Sequence, residues 1–450
     1  MKSHPSASGP AGAVAAAWAE VPRLISLAVP LVIGLAAANV IGLTDTLMVA
    51  PLGAAPLGAV GLTSSVIIIA YAAIYGALST IGIGVAQAHG ARTTGRIAGL
   101  VRNGLALGLV VGATGTALVL LAGLALPYLG QPEEVIAVIA PYWVAMALLL
   151  IPFSLLIVMK QLFDSIDRPW LGVGFAFLAT GVNVPLNWVL IYGPGPLPAL
   201  GLTGAGIASL VSESVGFLAA YLYWRRARST RRLRIRAPVT RAEVARIGGE
   251  GAPLGLMYAA ETGAYALAGM MIGWFGAAAL AANQVVSAVG ALLYMLPLGM
   301  AGAVATRVGQ AKGAEEAARL RSIAFAALGV VTGWMLMVTL ALALARHAIA
   351  DAIAPDPQVA AIAATLFIVT ALMQVADGLQ STALGALRGL MDLKWPTMVS
   401  LIAYWLIALP AAYGFAFLLG LGPAGVWAGF AAGLSIAAVA LPLRFLALTR

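Results

Sequence analysis

The sequence contains no cysteine, so it forms no disulfide, holds no thiolate metal site and offers no thiol nucleophile. Charge is scarce as well. Asp, Glu, Lys and Arg make up 9% of the residues, against roughly 25% in soluble domains. With 62% hydrophobic residues, such a chain cannot cover its surface with polar groups, which excludes a large soluble protein. The three histidines, His4, His89 and His347, are too far apart in sequence to suggest a metal site. The N-terminal stretch is polar and then Ala-rich, with Pro5 and Pro10, and the apolar run Ala11–Ala17 is short and lacks a charged flank just before it. Residues 1–22 therefore read as a disordered cytoplasmic tail rather than a cleaved signal peptide.

What the chain does have is apolar length. A spanning helix needs about 20 apolar residues. Twelve segments meet this: 24–50, 57–87, 97–127, 135–159, 169–193, 202–224, 247–274, 279–306, 322–345, 358–386, 396–420 and 423–446. Breaks fall at Pro51, Gln131-Pro132, Gly193-Pro194-Gly195-Pro196, Asp356-Pro357 and Gly422-Pro423, where turn chemistry interrupts a helix. The 52 glycines suit membrane helices, whose contacts favour small residues. The expected class is an all-α polytopic membrane protein.

Charge placement orients the spans. With the N-terminus inside, inner segments hold all but one of the 25 Lys and Arg, and only Arg346 falls in an outer loop. The outer loops carry Glu133, Glu134, Asp351 and Asp356 instead. This one-sidedness follows the positive-inside rule and places both termini in the cytoplasm. It also accounts for the net charge of +9 without a nucleic-acid partner. The nine arginines between Arg225 and Arg246 read as a basic linker, with lipid or nucleic-acid binding as the competing reading.

An internal repeat divides the chain. Val85-Ala-Gln-Ala-His-Gly-Ala91 matches Val308-Gly-Gln-Ala-Lys-Gly-Ala314, an offset close to half the chain length, and Gly53 and Gly276 share that offset. Leu200-Gly-Leu-Thr-Gly204 pairs with Leu421-Gly-Pro-Ala-Gly425 at nearly the same distance. Each half has six spans, so the expected architecture is two six-helix bundles related by a pseudo-two-fold along the membrane normal, with a cavity between or within them. The expected domains are the tail 1–22, an N-lobe 23–224, the linker 225–246 and a C-lobe 247–450.

Four acids lie well inside the spans: Asp45, Glu213, Glu261 and Asp377. Each costs about 2.5–3.5 kcal/mol at the bilayer centre on insertion scales. No intramembrane Lys or Arg is placed to neutralise them, so they point to a water-filled cavity and to function, against the blander reading of protonated carboxyls bonded to neighbouring helices. A low-dielectric site disfavours the charged form of a carboxyl group. Such a group can load and release a proton, attract an organic cation or bind sodium through oxygen. Competition of ion and cation for one negative charge is a physical basis for antiport.

The acids do not follow the repeat, since Asp45 corresponds to Ala268 and Glu261 to Ala38. The N-terminal half adds the amides Asn39, Asn183 and Asn187, and the C-terminal half adds Gln284. Asn183 and Asn187 are four apart and share a helix face; hydrogen bonding between helices is their alternative role. Pro30 removes a backbone hydrogen bond ahead of Asp45 in the first span and bends that helix. Trp170, Trp224, Trp395 and Trp427 fit interface belts. Tyr71, Tyr75, Tyr258, Tyr265 and Tyr294 fit either a cavity lining or packing, and Met257, Met270 and Met271 offer adaptable contacts.

These features resemble the multidrug and toxic compound extrusion (MATE) family over residues 20–446. The matching stretches are Pro30 followed by Gly42-Leu-Thr-Asp45-Thr-Leu-Met48, Val85-Ala-Gln-Ala-His-Gly90 and Asn183-Val-Pro-Leu-Asn187-Trp-Val-Leu-Ile-Tyr-Gly193. Others are Gly201-Leu-Thr-Gly204-Ala-Gly-Ile-Ala208, Glu261, Asn283-Gln284 and Gln374-Val-Ala-Asp377 continuing to Leu387-Arg388-Gly389. The chain looks most like the NorM branch. That resemblance implies an N-lobe site at Asp45, Asn183 and Asn187, and a C-lobe cation site, including sodium, at Glu261 and Asp377. It implies efflux of lipophilic, often cationic compounds on a proton or sodium gradient by alternating access, with no cofactor. NorM-like proteins can carry Tyr one helical turn before the tenth-helix acid. Met373 stands there here and removes an oxygen ligand. The resemblance assigns no role to Glu213.

The expected partners are therefore small-molecule drugs or organic cations and the bilayer of the plasma (inner) membrane, with the monomer as the functional unit. A flippase for lipid-linked saccharides would need cationic rather than acidic cavity residues. A major-facilitator transporter would carry a basic motif after its second helix, where His89-Gly-Ala-Arg-Thr-Thr-Gly95 stands. A membrane enzyme has no nucleophile motif to support it.

Overall fold

In lipid the backbone must satisfy its own hydrogen bonds, and the long apolar segments do so as helices. The computed structural model describes residues 10–128, 130–195, 198–234, 237–354 and 356–450, and the side chains at 10, 11, 13 and 37–41 are left aside. The helices are α1 (Pro10–Val49), α2 (Ala54–Gly90), α3 (Thr94–Gly123), α4 (Glu133–Ser165), α5 (Pro169–Tyr192), α6 (Gly201–Arg226), α7 (Arg241–Gly273), α8 (Ala277–Gly313), α9 (Ala317–Ile353), α10 (Pro357–Gly389), α11 (Lys394–Leu418) and α12 (Gly422–Leu448). No strand occurs among the described residues. Eleven of the twelve are long and apolar enough to cross a membrane. The other, α7, has the length but carries Glu261, Thr262 and two tyrosines in its middle.

The expected disordered tail is helical from Pro10 and continuous with the first span. Glu20 accounts for this order, since it is only 4% exposed. Arg319 donates to its Oε1 through Nε (3.0 Å) and Nη2 (2.8 Å), Arg23 donates to the same oxygen, and Arg307 lies 3.6 Å from Oε2. A carboxylate so enclosed fixes the helix that bears it. Residues 1–9, including His4 and Pro5, lie outside the described residues, as does Pro196. In the described parts of the basic segment after α6, a short turn spans Arg228–Arg234, and Asn103 on α3 donates to Pro238 O and accepts from Thr240 N.

Two compact units divide the chain. One comprises Ile33–Ala259, the other Met1–Val32 with Ala260–Arg450. Both α1 and the repeat-related α7 therefore contribute their two ends to different units, and α1 changes unit just after Pro30. Within Ile33–Ala259, α4 packs on α2, α3, α5 and α6. Within the second unit α10 packs on α8, α9 and α12. Close approach rests on small residues. On α12, Gly425, Gly429 and Gly433 recur at every fourth position, and a Cβ at each would collide with the α11 backbone at Ala416, Ala412 and Ala403. This is a small-residue stripe of the kind that lets membrane helices touch backbone to backbone. Helix α11 is irregular, with π-helical stretches at Ile402–Ala408 and Gly414–Leu418.

The repeat is written into the backbone. Gly53 and Gly276 adopt φ of 109° and 104° ahead of α2 and α8. Left-handed residues follow α2 and α8 at Arg92 and Glu315, and follow α4 and α10 at Asp167 and Met391. The pairs keep the sequence offset of the repeat almost unchanged, and the left-handed residues reverse the chain after a helix.

Candidate functional site

In the Ile33–Ala259 unit the predicted residues Asp45, Asn183 and Asn187 come together. Pro185 lies between the two asparagines inside α5, where it leaves the carbonyl of Gly181 without its helical donor. Asn183 and Asn187 still share one face: Asn187 Nδ2 donates to Asn183 Oδ1 at 3.0 Å and to Asp45 Oδ1 at 2.5 Å. Tyr192 Oη donates to Met48 O, holding the end of α1 against the end of α5. On α6, Ser209 Oγ donates to Asp45 Oδ2 at 3.1 Å, and Asn183 Nδ2 donates to Ser209 Oγ at 3.2 Å. Both carboxylate oxygens of Asp45 thus receive neutral donors, and among the described residues no cation pairs with it. Asn187 Oδ1 is buried without a partner among those residues.

Glu213 is one helical turn from Ser209 on α6, half-buried, with no hydrogen-bond partner among the described residues. It lies within electrostatic reach of Tyr71, as Asp45 does. The amide of Asn39 falls outside the described side chains. A separate, partly buried ion pair, Lys160 Nζ to Asp164 Oδ2 at 2.8 Å, closes the last turn of α4, and among the described residues no Lys or Arg pairs with the four site acids.

In the second unit Glu261 and Asp377 line one cavity of about 260 Å³. Three tyrosines satisfy them. Tyr404 donates to Glu261 Oε1 at 3.0 Å, and Tyr265 and Tyr294 donate to Asp377 Oδ2 and Oδ1 at 3.1 Å each. Tyr404 sits in the π-helical part of α11, whose next residue, Trp405, donates to Ala260 O. The lining residue Tyr265 packs among other rings, 5.3 Å from Phe430, 5.9 Å from Tyr404 and 6.1 Å from Trp427. The rest of the lining includes Met373, Gln374, Thr370 and Ser287. The polar groups lining it are predominantly oxygen, which suits a proton, a hard cation or an ammonium group.

Gln284 does not join the site. It is exposed on α8, whereas its neighbour Asn283 is buried and accepts from Trp427 Nε1 at 3.0 Å. A shift of one position turns a helical side chain by about 100°. Trp427, placed at an interface by the sequence, is 6% exposed and lines the cavity, and Trp224 is buried as well. Sequence reasoning gave no role to Ser209, to Ser212, whose Oγ accepts from Asn183 Nδ2 at 3.5 Å, to Tyr404, or to Gln374, which it quoted only as the start of a matching stretch. Tyr404 had a signal: Tyr192-Gly193 recurs as Tyr413-Gly414, and the same offset carries Asn183 onto Tyr404.

Long apolar helices that carry two sets of carboxylates held by neutral donors have the make-up of a polytopic membrane transporter. A family model described as MatE matches residues 30–189 and 253–414, two segments whose starting points are set apart by the offset of the internal repeat. The chain belongs to the MatE family, whose members are transporters and not enzymes. It is 31% identical to the probable multidrug resistance protein NorM of Synechococcus sp. over 96% of this chain and 95% of that protein. It is 33% identical to the protein of the same name from Deinococcus radiodurans, with 96% of each chain covered. In fold it is similar to the Vibrio cholerae MATE transporter VcmN in the bent form (TM-score 0.85, 20% identity, 97% and 98% of the two chains). It is similar too to the eukaryotic MATE transporter AtDTX14 (TM-score 0.86, 20% identity, 96% of each chain).

Proposed function

We propose that this chain is a multidrug efflux antiporter of the plasma (inner) membrane. It exports lipophilic, often cationic compounds against a proton or sodium gradient, with both termini in the cytoplasm and the monomer as the working unit. The observation that carries this reading is the pairing of carboxylates with neutral donors only. Asp45 with Asn187 and Ser209, and Glu261 and Asp377 with three tyrosines, keep their negative charge available for a mobile cation. The NorM relatives carry multidrug resistance in their names, which supports the substrate class.

In this mechanism the outside face supplies protons or sodium to the acids. Their neutralisation releases the bound organic cation, because one negative charge holds one partner at a time. Return of the loaded acids to the inside face frees the ion and allows a new substrate to bind. Asp45 is the proton carrier of its unit, and Glu261 and Asp377 form the ion and drug site of theirs. Asn183 and Asn187 orient Asp45, and Glu213 adds negative charge one turn from Ser209. Protonation of Asp45 alters its bonds to α5 and α6, and Pro30 gives α1 the point at which to bend in response.

The test is growth of a pump-deficient bacterium on ethidium. Cells expressing the chain tolerate more ethidium than empty-vector cells. Asp45→Asn, Glu261→Gln and Asp377→Asn return tolerance to the empty-vector level at equal expression. Full tolerance in all three variants would falsify the assignment.

A further inference from the structure

Gln374 lies on α10 one turn before Asp377 and is 6% exposed. The residue is part of the lining of the cavity that holds Asp377 and Glu261. Its Oε1 is buried and has no hydrogen-bond partner among the described residues. The position is built for the amide: a Cβ on Gly290 of α8 would lie 2.6 Å from Gln374 Nε2, so glycine there leaves the amide its place. A buried amide oxygen without a donor carries an uncompensated desolvation cost. A ligand that brings its own donor removes that cost.

The acids in the same cavity call for positive charge, and aromatic rings form part of its wall. A cavity of about 260 Å³ is much larger than a lone metal ion requires and has room for an organic group. Resting on the cation-site reading above, we propose that Gln374 selects organic cations bearing an N–H, namely protonated amines. The ammonium charge meets Asp377 and Glu261, and its N–H donates to Gln374 Oε1. A quaternary ammonium of the same shape carries the charge but leaves Oε1 unpaired, so it binds more weakly.

The test uses one naphthalimide fluorophore with two side chains, a protonated dialkylaminoalkyl group and its N-methylated quaternary form. Binding to the full-length purified protein is followed by fluorescence at a pH where the amine is charged. The unmodified protein binds the protonated amine roughly tenfold tighter than the quaternary form, the scale expected for a hydrogen bond to a charged group. Gln374→Met keeps side-chain length and removes the acceptor. It brings the ratio close to one by weakening amine binding alone, and retained binding of the quaternary form shows that the variant is folded. Gly290→Ala, which displaces the amide, lowers the ratio in the same direction.

A ratio near one in the unmodified protein, or a tenfold preference that survives Gln374→Met, overturns the proposal. The unmodified protein decides the point even where a variant does not fold. Asp377→Asn separates the two layers. If it abolishes binding of both forms while the ratio in the unmodified protein is one, only the role of Gln374 fails. If it leaves both affinities intact, the cation site itself fails.

Discussion

Asn187 donates to both Asp45 and Asn183, so one amide ties the acid of α1 to the paired asparagines of α5. The Asp45 carboxylate is held on both oxygens by uncharged groups. Replacing Asn187 by Leu removes one charge-assisted bond, worth about 1.5–3 kcal/mol. The expected result is an efflux rate at least several-fold lower, with Asn187→Gln recovering part of it. Dye efflux from energised cells at matched protein levels measures both.

The tyrosine hydroxyls act on the second site in the same way. Tyr404→Phe and Tyr294→Phe keep the rings and each remove one donor from Glu261 or Asp377. Each change leaves a carboxylate less well held in its ionised form. The affinity for a cationic dye should therefore fall roughly tenfold, while a neutral lipophilic probe binds as before. Fluorescence titration of purified protein reads the difference.

Much of the architecture was legible because its causes are local. Apolar length marks the spans, Pro and Gly mark the breaks, and the half-length offset reappears in the positive-φ turns at Gly53 and Gly276. Asp45, Asn183 and Asn187 were readable because a charge in lipid and two amides one turn apart are visible in sequence, and the structure brings them together. What escaped depends on tertiary packing. Tyr404 reaches Glu261 from a π-helical stretch, and only the repeat offset from Asn183 points to its position. The choice between Asn283 and Gln284 depends on the rotation of α8, which two adjacent amides cannot reveal. Glu20 looked like part of a loose tail because its partner Arg319 stands in the other half of the sequence.

Glu213 offers a contrast between stability and function. It is half-buried and has no hydrogen-bond partner among the described residues. Glu213→Gln takes a carboxyl group out of the membrane interior and should leave the melting temperature unchanged or raise it, as trade-off sites do. Efflux of cationic substrates should fall at the same time. Thermal unfolding in detergent and dye efflux measured on one preparation check the pair of outcomes. Unchanged efflux would leave Glu213 a packing residue.

The glycine stripe on α12 carries packing alone. Gly429→Val places branched carbon against the α11 backbone at Ala412. Overpacking of this kind costs about 1–3 kcal/mol. The variant should unfold at a lower temperature, and Gly429→Ala should lie between it and the unmodified protein. Arg319→Ala tests a different contact in the same unit. It removes both hydrogen bonds of Arg319 to the buried Glu20, and protease should then cut sooner between Pro10 and Pro22.

The central claim is exchange of a cation for a drug at these carboxylates, and reconstitution tests it most directly. Purified protein in liposomes is loaded with ethidium, and export is recorded under a pH gradient alone and then a sodium gradient alone. The account predicts export driven by at least one gradient, lost in Asp45→Asn and in the Glu261→Gln/Asp377→Asn double variant. Export at the unmodified rate in both variants, or none under either gradient from the unmodified protein, would contradict it.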